Sequence, residues 1–140
     1  MTEPCWLEPH DVCAIYEEII AESGGTAGLL SEGDLESTLY KPKNLYHYGR
    51  DSEEAVSLYE LAAAYGYGLV KNHCFVDGNK RIALIAVYTF LAINGVELVA
   101  SEVDAAALFL ELAASEASQA SCMEALALWL QENSETIANE

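Results

Sequence analysis

The sequence predicts an all-α domain, and three observations predict it. Its 140 residues suit one compact unit that buries roughly two-thirds of its unfolded surface. Hydrophobic residues make up 52% and charged residues 21%, a balance that excludes intrinsic disorder. Apolar residues recur at helical spacing over most of the length, in segments opened by capping residues and closed by Gly, Pro or Asn-Gly. No internal repeat, low-complexity segment or linker interrupts them, so residues 1–140 read as a single domain.

Pro9 suits a first helical position, and Val12, Cys13, Tyr16, Ile19 and Ile20 repeat at helical spacing up to Gly24-Gly25, which ends the helix. Ser31 with Asp34 reads as a capping box for a short helix near 32–40, stopped by Pro42. Residues 41–50 read as a loop or small hairpin. A long helix is expected over 53–71, about 28 Å at 1.5 Å per residue, apolar on nearly every side after Glu60 and therefore central. Asp77-Gly78-Asn79 reads as a turn before a second all-round apolar helix, Arg81 to Ile93, and 96–100 as a short extended piece. Ser101 and Asp104 form another capping box for a helix to about Ala114. An amphipathic helix near 119–132 closes the pattern, and the polar tail after Glu132 is expected to fray. Tyr59, Tyr65 and Tyr67 are expected as core aromatics on the central helix, and His10 as a surface or capping residue.

Six Lys+Arg against 23 Asp+Glu give a formal net charge of −17. That field repels phosphate backbones and anionic lipid surfaces, so neither nucleic acid nor a membrane is expected as a partner. The longest uncharged apolar stretch, Ile82 to Val96, has 15 residues, short of the about 20 that span a bilayer. The first residues lack the basic and apolar pattern of a secretory signal. Cys5, Cys13, Cys74 and Cys122 are scattered without metal-ligand spacing, which points to free thiols in a reducing, cytoplasmic setting, with Cys13 and Cys122 as small core residues.

The cations are not scattered. Lys41, Lys43, Arg50, Lys71, Lys80 and Arg81 all fall within 41–81, and residues 1–40 and 82–140 contain none. Lys80 and Arg81 stand in the first turn of a helix, where they oppose its dipole. A helix N-terminus preceded by Gly78 offers unpaired N–H groups to an anion, so a phosphate between these groups accounts for the pattern. The Walker spacing is absent.

Residues 73–81 read His-Cys-Phe-Val-Asp-Gly-Asn-Lys-Arg. This stretch resembles the Fic/Doc motif His-x-Phe-x-Asp/Glu-Gly/Ala-Asn-Lys/Gly-Arg, with the Lys at the eighth place as in the death-on-curing branch. The resemblance extends to Leu35-Glu36-Ser37, Lys41–Gly49, the apolar helix before His73, Phe90-Leu91 and Asn94-Gly95, or roughly residues 8–100. It implies a compact bundle of about six helices with a small β-hairpin or flap beside the motif. It also implies a nucleotide-dependent transferase acting on a protein hydroxyl. Most Fic relatives transfer AMP. The death-on-curing toxins instead phosphorylate a threonine of elongation factor Tu with ATP, and an antitoxin, often of the prevents-host-death type, neutralises them.

The resemblance assigns roles residue by residue. His73 is the general base, suited by an imidazole whose ordinary pKa lies near neutrality. Phe75 anchors the loop. Asp77 holds Mg²⁺, which accepts one carboxylate plus phosphate oxygens. Gly78 and Asn79 supply an anion hole, and Lys80 and Arg81 bind phosphate, with Lys71 on the rim. Lys43, Asn44, Tyr46 and His47 are the candidate target-docking flap. Three positions depart from the family pattern: Cys74 where Pro is usual, Ile82 where Thr is frequent, and Leu84 where the AMP-transferring relatives carry a second Arg. A cation at 80 and an apolar residue at 84 favour phosphoryl over nucleotidyl transfer. The alternatives are a Fic-type nucleotidyl transferase and a catalytically silent helical binding module, against which the intact His73, Asp77, Asn79, Lys80 and Arg81 stand. No Ser/Thr-x-x-x-Glu-Gly/Asn self-inhibitory motif is present, so control by a partner is expected.

Overall fold

The computed structural model describes residues 3–49 and 55–137. Among these it contains six helices, α1 (Pro9–Ser23), α2 (Glu32–Gly49), α3 (Leu58–Lys71), α4 (Asn79–Ile93), α5 (Glu102–Ala114) and α6 (Gln119–Glu132). A two-stranded antiparallel sheet pairs β1 (Val96–Leu98) with β2 (Ser134–Thr136). The all-α class and the six helices agree with the sequence reading. No helix of the described residues is long and apolar enough to cross a membrane, and all four cysteines are free thiols.

The core is built around α3, which packs against α4, α6 and α2. Its all-round apolar composition is used as expected: Leu61 to Gly66 and Gly68 to Val70 are buried. Tyr65 is fully enclosed, with its ring 4.8 Å from that of Phe90 and its phenol oxygen accepting the Leu7 N–H at 3.1 Å. Burial pushes this phenol up to about 12. Tyr59 and Tyr67 are half-buried against the same core.

Helix ends follow the capping signals where these were recognised. Glu8 and Asp11 form a reciprocal capping box ahead of Pro9. Ser31, Ser101 and Ser118 each accept a backbone N–H three residues on. Three expectations need correction. The helix expected to stop at Pro42 continues to Gly49, so 41–49 is helical and neither loop nor hairpin. Leu35, Thr38, Leu39 and Pro42 are buried on one face, and Leu45 and Tyr46 extend that face against the core. This packing outweighs the ~3 kcal/mol that an interior proline costs. The long helix starts at Leu58, where Ser57 accepts the Glu60 N–H at 3.1 Å, not at Glu53, which lies outside the described residues. Finally, residues 134–136 of the tail pair with β1 and do not fray.

The α2–α3 contact is close because Gly68 faces Thr38. A Cβ on Gly68 would meet Thr38 Cγ2 at 2.8 Å. Thr38 cannot yield: it is fully buried, donates to Asp34 O at 2.7 Å and accepts from Asn72 Nδ2 at 2.7 Å. Gly68→Ala gains about 1 kcal/mol in helix propensity but incurs an overpacking cost of ~1–3 kcal/mol. It should therefore lower the thermal midpoint. Adding Thr38→Ser, which keeps the hydroxyl and removes the methyl, should restore it. A Gly68→Ala chain that melts higher than the parent would show that the two helices are not in contact there.

Candidate active site

α3 ends at Lys71, and the chain turns sharply through His73, whose φ of 46° is the only positive value at a described non-glycine residue. That conformation is strained for a residue with a Cβ and needs support from both sides. Cys74 and Phe75 dive into the core, at 0% and 1% exposure. Their backbone pairs with the segment between α1 and α2: Leu30 N–H donates to Cys74 O at 2.7 Å and Val76 N–H to Gly28 O at 2.8 Å. Phe75 stacks on Tyr16 at 4.0 Å between centroids, and Tyr16 Oη donates to Asp77 O at 2.8 Å. Burial pushes the Cys74 thiol up, and Thr38 Oγ1 lies 3.7 Å from its sulfur, so this cysteine is a packed core residue.

Gly78 caps α4 in the left-handed conformation, φ 80°, which only glycine adopts without strain. The N–H groups of Asn79, Lys80 and Arg81 then open the helix without intrahelical acceptors, the arrangement that attracts an anion. Asn79 is buried and its amide is committed. Oδ1 accepts Phe75 N–H at 3.1 Å, while Nδ2 donates to Phe75 O at 2.9 Å and lies 3.2 Å from His73 Nδ1. The two Phe75 groups fix which end of the amide is which. His73 Nδ1 therefore faces a donor and acts as acceptor, which leaves the ring proton on Nε2. The side-chain donor expected of Asn79 toward an anion is thus directed at the loop itself.

Asp77 is exposed. Its Oδ1 accepts Gly78 N–H at 2.8 Å, and a Cβ on Gly25 would lie 2.7 Å from its Oδ2. No group of three or more His, Cys, Asp or Glu side chains that could hold a metal occurs among the described residues. A lone exposed carboxylate fits Mg²⁺ that arrives with a nucleotide and takes its other ligands from phosphate and water. Lys80 is exposed and makes no hydrogen bond or ion pair among the described residues. Arg81 donates through Nη1 to Ser23 Oγ and, at 3.5 Å, to Gly24 O at the end of α1. Leu84 is half-buried against the core.

The loop thus brings together His73, Asp77, Gly78, Asn79, Lys80 and Arg81. Lys71 does something else: its ammonium donates to Ser115 O at 2.8 Å and Ala113 O at 3.3 Å, closing the C-terminus of α5. Lys43 is paired with Glu8 at 2.8 Å. Lys43, Asn44, Tyr46 and His47 all stand on α2. Tyr46 packs on Trp6 and lines a cleft with Asn94, at the end of α4 opposite the motif and about 22 Å along the helix axis. Arg50 lies outside the described residues. The segment beside the motif is instead 24–30, which the sequence reading treated only as a helix stop. Its signal was the presence of three glycines, 24, 25 and 28, where one ends a helix; all three have positive φ.

A family model described as the Fic/DOC family matches residues 6–91. "Protein kinase doc" of Escherichia phage P1 is 30% identical over 92 residues, covering 66% of this chain and 70% of the relative. "Toxin Doc" of Mycolicibacterium smegmatis is 42% identical over 77 residues, covering 55% of this chain and 57% of the relative.

The Asn79 amide carries a stability prediction. Asn79→Ala leaves the N–H and C=O of buried Phe75 without partners and should cost about 1–3 kcal/mol for each group by denaturant unfolding. In Asn79→Asp a carboxylate oxygen can still accept the Phe75 N–H but faces the Phe75 carbonyl, so this variant should also be less stable than the parent. Two variants as stable as the parent would place the Phe75 groups in water.

Proposed function

The chain belongs to the Fic/DOC family, and from that premise we propose that it is a Doc-like toxin of a toxin–antitoxin pair. It moves the γ-phosphoryl group of ATP to a Thr or Ser hydroxyl of a protein target, elongation factor Tu, and so stops translation in the cytoplasm. An antitoxin of the prevents-host-death type holds it in check. The names of the two relatives, a protein kinase and a toxin, support this reading. The observation that carries it lies in the first two turns of α4: Lys80 is an unpaired cation at the motif loop, while position 84 holds a half-buried leucine. Positive charge is thereby gathered around one phosphoryl group, with no second cation a turn further on to hold a departing diphosphate.

In this reading the free N–H groups at the start of α4 receive phosphate oxygens, Gly78 lets the phosphate approach the backbone closely, and Lys80 and Arg81 supply charge. Mg²⁺ held by Asp77 and phosphate oxygens would offset charge on the nucleotide. His73 takes the proton of the target hydroxyl. With Asn79 donating to Nδ1, accepting that proton at Nε2 requires the other ring tautomer and a loosened Asn79 contact. The exposed Leu30 and Val76 flank the paired backbone of 28–30 and 74–76 and offer an apolar rim to a target segment.

The test is a bacterial translation extract supplied with ATP labelled on either the α- or the γ-phosphate, followed by mass spectrometry of the modified protein. The γ label alone should enter the target, and His73→Ala should abolish it, since a general base contributes about 10²–10⁴-fold. Entry of the α label would establish nucleotidyl transfer instead, and absence of ATP·Mg²⁺ binding would establish a silent binding module.

Lys80→Gly provides a second check. It should lower γ-transfer by about 10²-fold, the loss typical of removing one group that stabilises transition-state charge, and adding Leu84→Arg should not restore it. Restoration by that second change would mean that the site clamps a leaving diphosphate.

A further inference from the structure

We infer that Ser23, outside the motif and on a different helix, is a positioning residue that presents the Arg81 guanidinium to phosphate. The inference deepens the reading above and rests on it for the identity of the phosphate. Arg81 comes from the first turn of α4, yet its Nη1 is docked on the last turn of α1, on Ser23 Oγ and Gly24 O. The hydroxyl is oriented for this. Ser23 donates its one proton to Ile19 O at 2.6 Å, so its lone pairs are turned to the guanidinium. The other end of the guanidinium lies between two glycines. Its Nη2 is 3.3 Å from where a Cβ on Gly78 would be and 3.5 Å from one on Gly25. A side chain at Gly78 would crowd it, and one at Gly25 would collide with the neighbouring Asp77 Oδ2.

Two features make this a presenting contact and not merely a tether. First, both acceptors are neutral. Among the described residues no carboxylate lies within ion-pair distance of Arg81, so its charge is not cancelled. The α1 C-terminus contributes only the partial negative charge of its carbonyls. Second, Nη1 alone is used. The Nε and Nη2 edge, which forms a bidentate fork on a phosphate, remains free on the side of Gly25, beside the Asp77 carboxylate. A long side chain that would otherwise sample many rotamers is thus oriented before the ligand arrives.

The experiment uses the full chain and its Ser23→Ala and Ser23→Thr variants. The sequence has two arginines, Arg50 and Arg81, so guanidinium NMR signals assign readily with an Arg50→Lys control. In the parent the Arg81 guanidinium should be motionally restricted. Ser23→Ala should release it and weaken Mg·ATP binding about tenfold, seen as a raised KM for ATP with kcat and thermal midpoint little changed. Ser23→Thr, which keeps the acceptor, should restore both signals. A guanidinium equally restricted in all three proteins, or Mg·ATP affinity unchanged in Ser23→Ala, overturns the inference. A parent that binds Mg·ATP and shows this variant pattern, but transfers no phosphoryl group, would overturn the toxin-kinase reading while upholding the role of Ser23.

Discussion

The structure around the motif depends on one buried amide. Phe75 is a core residue on a loop, so its backbone N–H and C=O are taken out of water where no helix or full strand can pair them. Asn79 satisfies both, at 3.1 and 2.9 Å, from the first position of α4. The loop and the helix are therefore one unit: moving either leaves two buried polar groups unpaired, at about 1–3 kcal/mol each. The same amide reaches His73, so the side chain that organises the core also orients the imidazole of the motif. His73 in turn keeps a positive φ, a strain of ~1–3 kcal/mol. Its successors are held by the Leu29–Phe75 bridge on one side and by Asn79 on the other.

The scarcity of cations acquires a second meaning in three dimensions. Lys43 pairs with Glu8, the N-cap of α1; Lys71 closes the C-terminus of α5; Arg81 docks on the C-terminus of α1. Each spans two elements distant in sequence. Lys71 and Arg81 also complement a helix dipole, since neither α1 nor α5 has a basic residue in its own last turn. The clustering of positive charge in 41–81 thus reflects structural ties, and among the described residues of the motif Lys80 is the cation with no tie.

How much was legible in the sequence follows from the range of the interactions involved. Helix starts at Pro9, Ser31 and Ser101 depend on bonds three residues long, and their signals are local. The motif loop was legible for the same reason, being nine consecutive residues. Pro42 misled because its local cost is offset by a face of α2 that packs on α3, and no local pattern reports that contact. Ser57 with Glu60 was a capping signal of the ordinary kind, passed over because the apolar run was traced back into the acidic stretch before it. The pairing of 134–136 with 96–98 joins segments almost forty residues apart through backbone bonds, and an alternating exposure over three residues is too short to announce it.

The Gly24–Leu30 segment shows what remained hidden and why it matters. Read along the chain, its glycines end a helix. Folded, Gly25 lies against both Asp77 Oδ2 and Arg81 Nη2, and Gly28 carries the carbonyl that receives Val76 N–H. The carboxylate and the guanidinium belong to one loop, but the surface that keeps them side by side without pairing them belongs to another. A direct ion pair would neutralise both charges, and no such pair is present among the described residues. The glycine segment excludes side-chain bulk, and the α1 terminus holds Arg81 through neutral oxygens, so the two charges stay close and uncancelled. The motif supplies the charged groups, and their availability depends on residues outside it.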